Sequence, residues 1–291
     1  MKTTRLTLAA SLALFAVGCG GGQTGKVSLL LKDAPANFSA AVVTISEIDL
    51  VGSGGTTVLS TTKTTTNLLN LANDTAKLVD GVDVPVGTYT QLRFVITGGY
   101  IDVGGVIYAS SPTYEGLPQG ATVGGELRMP SYGQSGLKVD LPGGAVTVGT
   151  AGKVLLVDFN VSQSFGQDAG ASGAWVMHPV MQATAFEMSG TVDVTLKLAP
   201  GVALPSPTTL ADFKAVLTPA GATDGTSLPL VTTTTAGTYG VSFKYLFPGT
   251  YTLTFTAPAG VAFTTSPMIP ANVTVTSGQA TAEDFVITSV P

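Results

Sequence analysis

Two runs near the C-terminus of this chain, residues 238–247 and 250–256, alternate bulky and small side chains with a period of two. Tyr239, Val241, Phe243, Tyr245 and Phe247 share one side, with Gly240, Ser242 and Lys244 opposite. Tyr251, Leu253 and Phe255 repeat this against Thr252, Thr254 and Thr256. Successive strand side chains point to opposite faces, so this period with one polar side describes half-buried β-strands. It assigns the aromatic stripe to a core rather than to a sugar-stacking surface. Similar runs occupy residues 26–32, 41–51, 88–97, 153–161, 176–187, 191–198 and 280–288, with Gly and Pro between them. Residues 67–78 read as a short helix or loop, and helical periodicity of any length is absent. The expected class is all-β: β-sandwich domains of Greek-key, immunoglobulin-like type, or barrels.

Composition agrees. Charged residues make up 11% of the chain against 44% hydrophobic, with 36 Gly and 17 Pro, a balance that favours β-rich globular domains over disorder. The 13 basic residues fall short of the 18 acidic ones even before Lys2 and Arg5 are removed with a leader, and they form no cluster. Such a chain has no counterion-release drive toward nucleic acid, which is therefore not an expected partner.

Residues 1–18 read as a signal peptide, with Lys2 and Arg5 ahead of an apolar stretch over residues 6–17. That stretch is too short for a bilayer core, which needs about 20 residues. The segment Phe15-Ala16-Val17-Gly18-Cys19-Gly20 resembles a bacterial lipobox, whose cysteine is acylated (a palmitate-type modification) and becomes the mature N-terminus. Ala16 departs from the Leu more usual there. Cys19 is the sole cysteine of the chain, so it has no intramolecular disulfide partner. Each buried acyl methylene contributes about 0.8 kcal/mol, so a multiply acylated cysteine anchors firmly. By resemblance to Gram-negative lipoproteins, Gly20 rather than Asp after the cysteine implies the outer membrane. Residues 19–25 read as the lipidated cysteine and a glycine-rich tether. Gly20 to Lys26 also spells G-x-x-x-x-G-K, but Val27 stands where a phosphate loop needs Ser or Thr, and a strand follows where a helix should begin.

A boundary near Met188-Ser189-Gly190 divides the remainder into domains over 26–188 and 189–291. Both carry one local phrase: Pro85, Gly87 and Tyr89 in the first, Pro248, Gly249 and Tyr251 in the second. Pro and Gly shape the turn, while the Tyr buries its ring and bonds a backbone group with its hydroxyl, as in a tyrosine corner. These residues define fold rather than function.

Residues 26 to about 187 resemble the DUF4382 family, a domain of unknown function found in prokaryotic lipoproteins. The resemblance rests on Val27-Ser28-Leu29-Leu30-Leu31-Lys32-Asp33-Ala34-Pro35, Val43-Thr44-Ile45-Ser46-Glu47-Ile48, Tyr89-Thr90-Gln91-Leu92-Arg93 and Ser135-Gly136-Leu137-Lys138. It implies no activity. Residues 190–291 are similar to transthyretin-like or carboxypeptidase-regulatory-like (prealbumin-like) sandwiches, chiefly through Leu246-Phe247-Pro248-Gly249-Thr250-Tyr251-Thr252-Leu253. Such modules serve as spacers, and the wider fold group includes starch-binding-like members.

The residue inventory is poor in reactive chemistry. His178 is the single histidine, no G-x-S-x-G elbow occurs, and Cys19 is committed to lipid. Asp80 and Asp83 fall in a Gly-containing stretch that reads as a loop, short of the roughly six to eight oxygens calcium takes. No catalytic residue, metal or cofactor is expected. Alternation puts Leu92, Phe94 and Ile96 on one face and Gln91, Arg93 and Val95 on the other. Asp33 precedes a proline turn, where its carboxylate suits local backbone N–H groups. Arg93 is expected to meet a carboxylate, Asp33 or Glu47, the alternative being a solvated arginine on an outer face. The expected function is a non-catalytic cell-envelope lipoprotein, a binding or structural module partnered by the membrane and by a polysaccharide or an envelope protein. The alternatives are carbohydrate binding through the C-terminal sandwich and an unrecognised envelope hydrolase.

Overall fold

The computed structural model describes residues 22–34, 36–129, 133, 135–167 and 173–291. The signal peptide, Cys19 and the glycines directly after it lie outside the described residues. Among those described, no helix is long and apolar enough to cross a membrane.

Alternating apolar residues build two facing sheets in the first domain. The smaller contains β1 (Thr24–Ala34) at its centre, and the larger is organised around β2 (Ala40–Gly52). Next come β3 (Ala76–Pro85) and β4 (Gly87–Val103), then β5 (Val106–Ala109), β6 (Val123–Arg128), β7 (Lys153–Asn160) and β8 (Met181–Ala185). The smaller sheet runs β8-β7-β1-β3, with β1 and β7 parallel. In the larger, β6, β5, β4 and β2 follow one another, extended by short edge strands. Between the sheets, Val27, Leu29 and Leu31 of β1 and Leu155, Val157 and Phe159 of β7 meet Ile48 and Leu50 of β2 and Leu92, Phe94 and Ile96 of β4 in one core.

The second domain repeats the plan. Its strands are β9 (Gly190–Leu198), β10 (Lys214–Pro219), β11 (Thr238–Leu246), β12 (Gly249–Thr256), β13 (Ala271–Val275) and β14 (Ala280–Ser289). One sheet centres on β9 between β11 and a parallel β14; the other runs β10-β12-β13. Val192, Val194 and Leu196 pack here with Phe243, Leu253, Phe255 and Phe285. In both domains the first strand pairs in parallel with a late strand, so neither is wholly antiparallel.

Several expectations need correction. Thr24 and Gly25 belong to β1 rather than to a tether: Thr24 pairs with Pro85, and a Cβ at Gly25 would stand 1.9 Å from the Gly149 carbonyl oxygen. The run at 176–187 is two strands, Trp175–Met177 and β8, because Pro179 lacks an N–H and interrupts the ladder. His178 lies exposed in that break. Asp80 and Asp83 sit on β3 rather than in a loop, paired with Lys77 and Lys26 at 2.8 Å each. The stripe on β11 does not run its full length. Tyr245 takes φ 57°, the register slips, and Leu246 rather than Phe247 enters the core.

Candidate functional site

The sequence points first to Arg93. On β4 it stands directly across from Asp49 of β2, and both lie on the face opposite the core. Its Nε donates to Asp49 Oδ2 at 2.7 Å, its Nη2 donates to the same oxygen, and Glu47 Oε1 lies 3.5 Å from Nη2. The Asp49 side chain is fully buried while Arg93 is 34% exposed, so the guanidinium covers the carboxylate from the solvent side. Glu47 is therefore a partner, and Asp49 is the nearer one. Asp33 is not: it belongs to β1 in the other sheet, where it is 2% exposed and accepts from Val161 N at 3.2 Å. That N–H comes from the far end of the domain's sequence. One arginine holding two carboxylates on a strand face is a structural brace.

A cavity of about 730 Å³ opens on the larger sheet where β2, the middle of β4 and the end of β6 meet the loop after β5. Gly98 lets that loop approach the strand: a Cβ there would lie 2.6 Å from the Tyr114 ring. The Tyr114 hydroxyl stands 2.6 Å from Thr44 Oγ1, which is 2.8 Å from Thr65 Oγ1. Burial raises the Tyr114 phenol pKa, and the hydrogen bonds to Thr44 and Thr65 pull it the other way. On the rim Lys63 pairs with Glu115, and Arg128 Nε donates to Glu126 at 3.1 Å. The Lys63 hydrogen bond lowers the Glu115 carboxyl pKa, the opposite of what a general acid at neutral pH needs. Among the described residues, no group of three His, Cys, Asp or Glu is placed to hold a metal ion.

A third arrangement joins the domains. Asn73, at φ 65°, donates from Nδ2 to Ser242 O at 3.1 Å and accepts from Lys244 N at 2.6 Å. Its amide thus satisfies the backbone of β11 just where Tyr245 distorts the strand. The Tyr245 ring leaves the sheet core and packs 5.9 Å from Phe186, on the turn between the domains. Lys32, 8% exposed, places Nζ 3.3 Å from Asp158 Oδ2 and 5.4 Å from the Phe247 ring centroid.

Both tyrosine corners form as their sequence phrase suggests. The Tyr89 hydroxyl donates to Pro85 O and the Tyr251 hydroxyl to Phe247 O, each at 2.8 Å. Pro85 closes β3, Gly87 opens β4, and Pro248 and Gly249 make the matching link from β11 to β12. Tyr251 also lines a cavity of about 190 Å³ with Asp158, Gln182 and Phe247. Burial, and secondarily the Asp158 charge, push its phenol pKa well above the usual tyrosine range. In the second domain Phe243, Tyr251, Phe255 and Phe285 all belong to the core, and none of the exposed large apolar residues described is aromatic.

A family model described as "Domain of unknown function (DUF4382)" matches residues 24–179. No curated protein matches the chain. Among solved structures it is similar to a leucine-rich repeat protein from Bacteroides thetaiotaomicron, at 13% identity and TM-score 0.22, over 90% of this chain and 26% of that one. It is also similar to the Bacillus anthracis TIE protein, at 10% identity and TM-score 0.24 over 91% and 51% of the two chains. GBS52, the minor pilin of Streptococcus agalactiae, gives 10% identity and TM-score 0.23 over 91% and 96%. The chain spans about a quarter and about half of the first two structures.

Proposed function

The chain belongs to the DUF4382 family, and from that premise we propose that it is a non-catalytic lipoprotein of the bacterial cell envelope. Residues 1–18 direct export, acylated Cys19 holds the membrane, and the two sandwiches form one rigid body that binds or displays at the surface. In a Gram-negative cell the anchor is the outer membrane, and the transthyretin-like second domain acts as a spacer.

The observation that carries this reading is where the folded body begins. Val86 N donates to Gln23 O at 2.8 Å, and Thr24 already pairs in the sheet. Three glycines, Gly20 to Gly22, separate Cys19 from Gln23. Over the four residue steps from Cys19 to Gln23, at roughly 3.5 Å each, the chain spans at most about 14 Å. A lipid on Cys19 would keep the domain edge against the headgroups. The ion pairs at Glu47, Asp49, Glu115 and Glu126 favour a module without hydrolytic chemistry.

Expression of Cys19→Ser tests the anchor. Detergent phase partitioning should move the chain to the aqueous phase, and labelled palmitate should no longer be incorporated. Unchanged membrane association would contradict the proposal.

A further inference from the structure

We infer that the cleft walled by Thr44, Thr97 and Tyr114, with Lys63, Glu115 and Arg128 on its rim, binds a short neutral oligosaccharide. The inference rests on the surface-module reading and supplies its ligand class. It moves carbohydrate recognition from the second domain, whose aromatic stripe is core, to the first.

Size comes first. About 730 Å³ lies within the roughly 300–1,000 Å³ of small-molecule clefts, enough for more than one sugar ring. The wall chemistry narrows the class. The exposed Thr97 hydroxyl can donate and accept, and those of Ser110 and Tyr114, each engaged once within the protein, keep further capacity, matching a ligand whose own groups do both. The two rim cations already face two rim carboxylates, Lys63 with Glu115 and Arg128 with Glu126. A charged ligand has to compete with one of these pairs, whereas an uncharged polyol bonds to both members without separating them. Ile96, Leu127 and Val176 supply apolar surface, which suits the C–H faces of pyranose rings.

The site is also pre-formed. Tyr114 is seated on Gly98, and its hydroxyl is fixed beside Thr44, so little order has to be gained on binding. Access follows from the strand direction. Gly52, which packs against Tyr89 near the tether end, is eight residues from Thr44 along β2. At about 3.3 Å per residue the cleft lies roughly 26 Å along β2 from that end.

The test uses the full chain carrying Cys19→Ser, titrated by calorimetry with maltotetraose, cellotetraose, laminaritetraose, mannotetraose and chitotetraose. Tetragalacturonate and a chitosan tetramer serve as the anionic and cationic counterparts, and a Gly-Ser peptide as a neutral non-sugar. At least one neutral sugar should bind with a Kd below about 1 mM, and about tenfold tighter than the charged sugars or the peptide. Thr97→Trp, a change at an exposed rim position, should weaken that binding about tenfold with Tm unchanged. Tyr114→Phe should weaken it by a smaller factor. Absence of binding to every neutral sugar by a folded chain, equal binding of a charged sugar or the peptide, or full binding by Thr97→Trp would overturn the inference. Such a failure with Cys19-dependent membrane association intact would leave the envelope reading standing; loss of that association alone would leave the cleft standing.

Discussion

The two tyrosine corners share their residues and their hydrogen bond, yet they sit in different surroundings. Tyr89 braces a turn inside the first domain, at the edge where Gln23 pairs with Val86. Tyr251 makes the same bond within the second domain but also faces Asp158 of the first, across a small cavity. One sequence phrase therefore closes a sandwich in both places, and its neighbours decide whether it also joins two sandwiches. Those neighbours are Lys32 over Phe247 and the Asn73 amide on β11, contributed by the first domain.

The largest change should break the comparison on the side of the first domain. Arg93→Ala leaves the fully buried Asp49 carboxylate beside Glu47 without its cation. Removing one partner of a buried pair typically costs about 3–5 kcal/mol. Because Arg93 is partly exposed, about 3 kcal/mol is expected in urea denaturation. A loss under about 1 kcal/mol would mean water already screens the pair.

Asn73→Ala should act on the join instead. It removes two bonds to β11, each worth about 1 kcal/mol, so a loss of about 2 kcal/mol is expected. In scanning calorimetry the parent should unfold in one transition and the variant in two. Identical profiles would show that the amide does not couple the domains.

The corners themselves come next. Tyr251→Phe and Tyr89→Phe each delete one hydroxyl bond, worth about 1 kcal/mol. Tyr251→Phe should lower the stability of both domains and Tyr89→Phe that of the first. Equal and purely local effects would reduce the second corner to a copy of the first.

The smallest effect is on pH. The Tyr251 phenol has a folded pKa raised above the ordinary tyrosine value of about 10, so above that pH the unfolded chain releases a proton the native chain retains. Stability is then fully present below about pH 10 and falls as pH rises. Tyr251→Phe should flatten that fall, with Tyr100 and Tyr114, both also raised, sustaining the remainder. An unchanged alkaline slope in thermal melts would contradict the assignment.

The comparison also shows how far the sequence could be read. Period-two alternation located the core strands and the outward face of Arg93, because side-chain parity is local. Of its two partners Glu47 was legible as a candidate and Asp49 was not: Asp49 faces Arg93 through the long-range register of β2 on β4, and nothing in either strand alone sets that register. Asp33 is not a partner of Arg93 because β1 carries it into the opposite sheet, a placement that long-range pairing sets. On β11 the alternation continues through Tyr245, and only the positive φ there turns Phe247 out toward Lys32. The cleft escaped notice because Ser111-Pro112-Thr113-Tyr114 reads as an ordinary turn. Its one local signal was the pair Gly98-Gly99 inside a strand, the mark of a close approach.

In the proposed module the two sandwiches move as one body. With Cys19 changed to Ser, the chain has no other cysteine, so spin labels can be placed cleanly at Val58→Cys in the first domain and Met268→Cys in the second, both exposed positions. Pulsed dipolar spectroscopy should give one narrow distance distribution that broadens in Asn73→Ala. A broad or multimodal distribution in the Asn73 protein would contradict a rigid two-domain module.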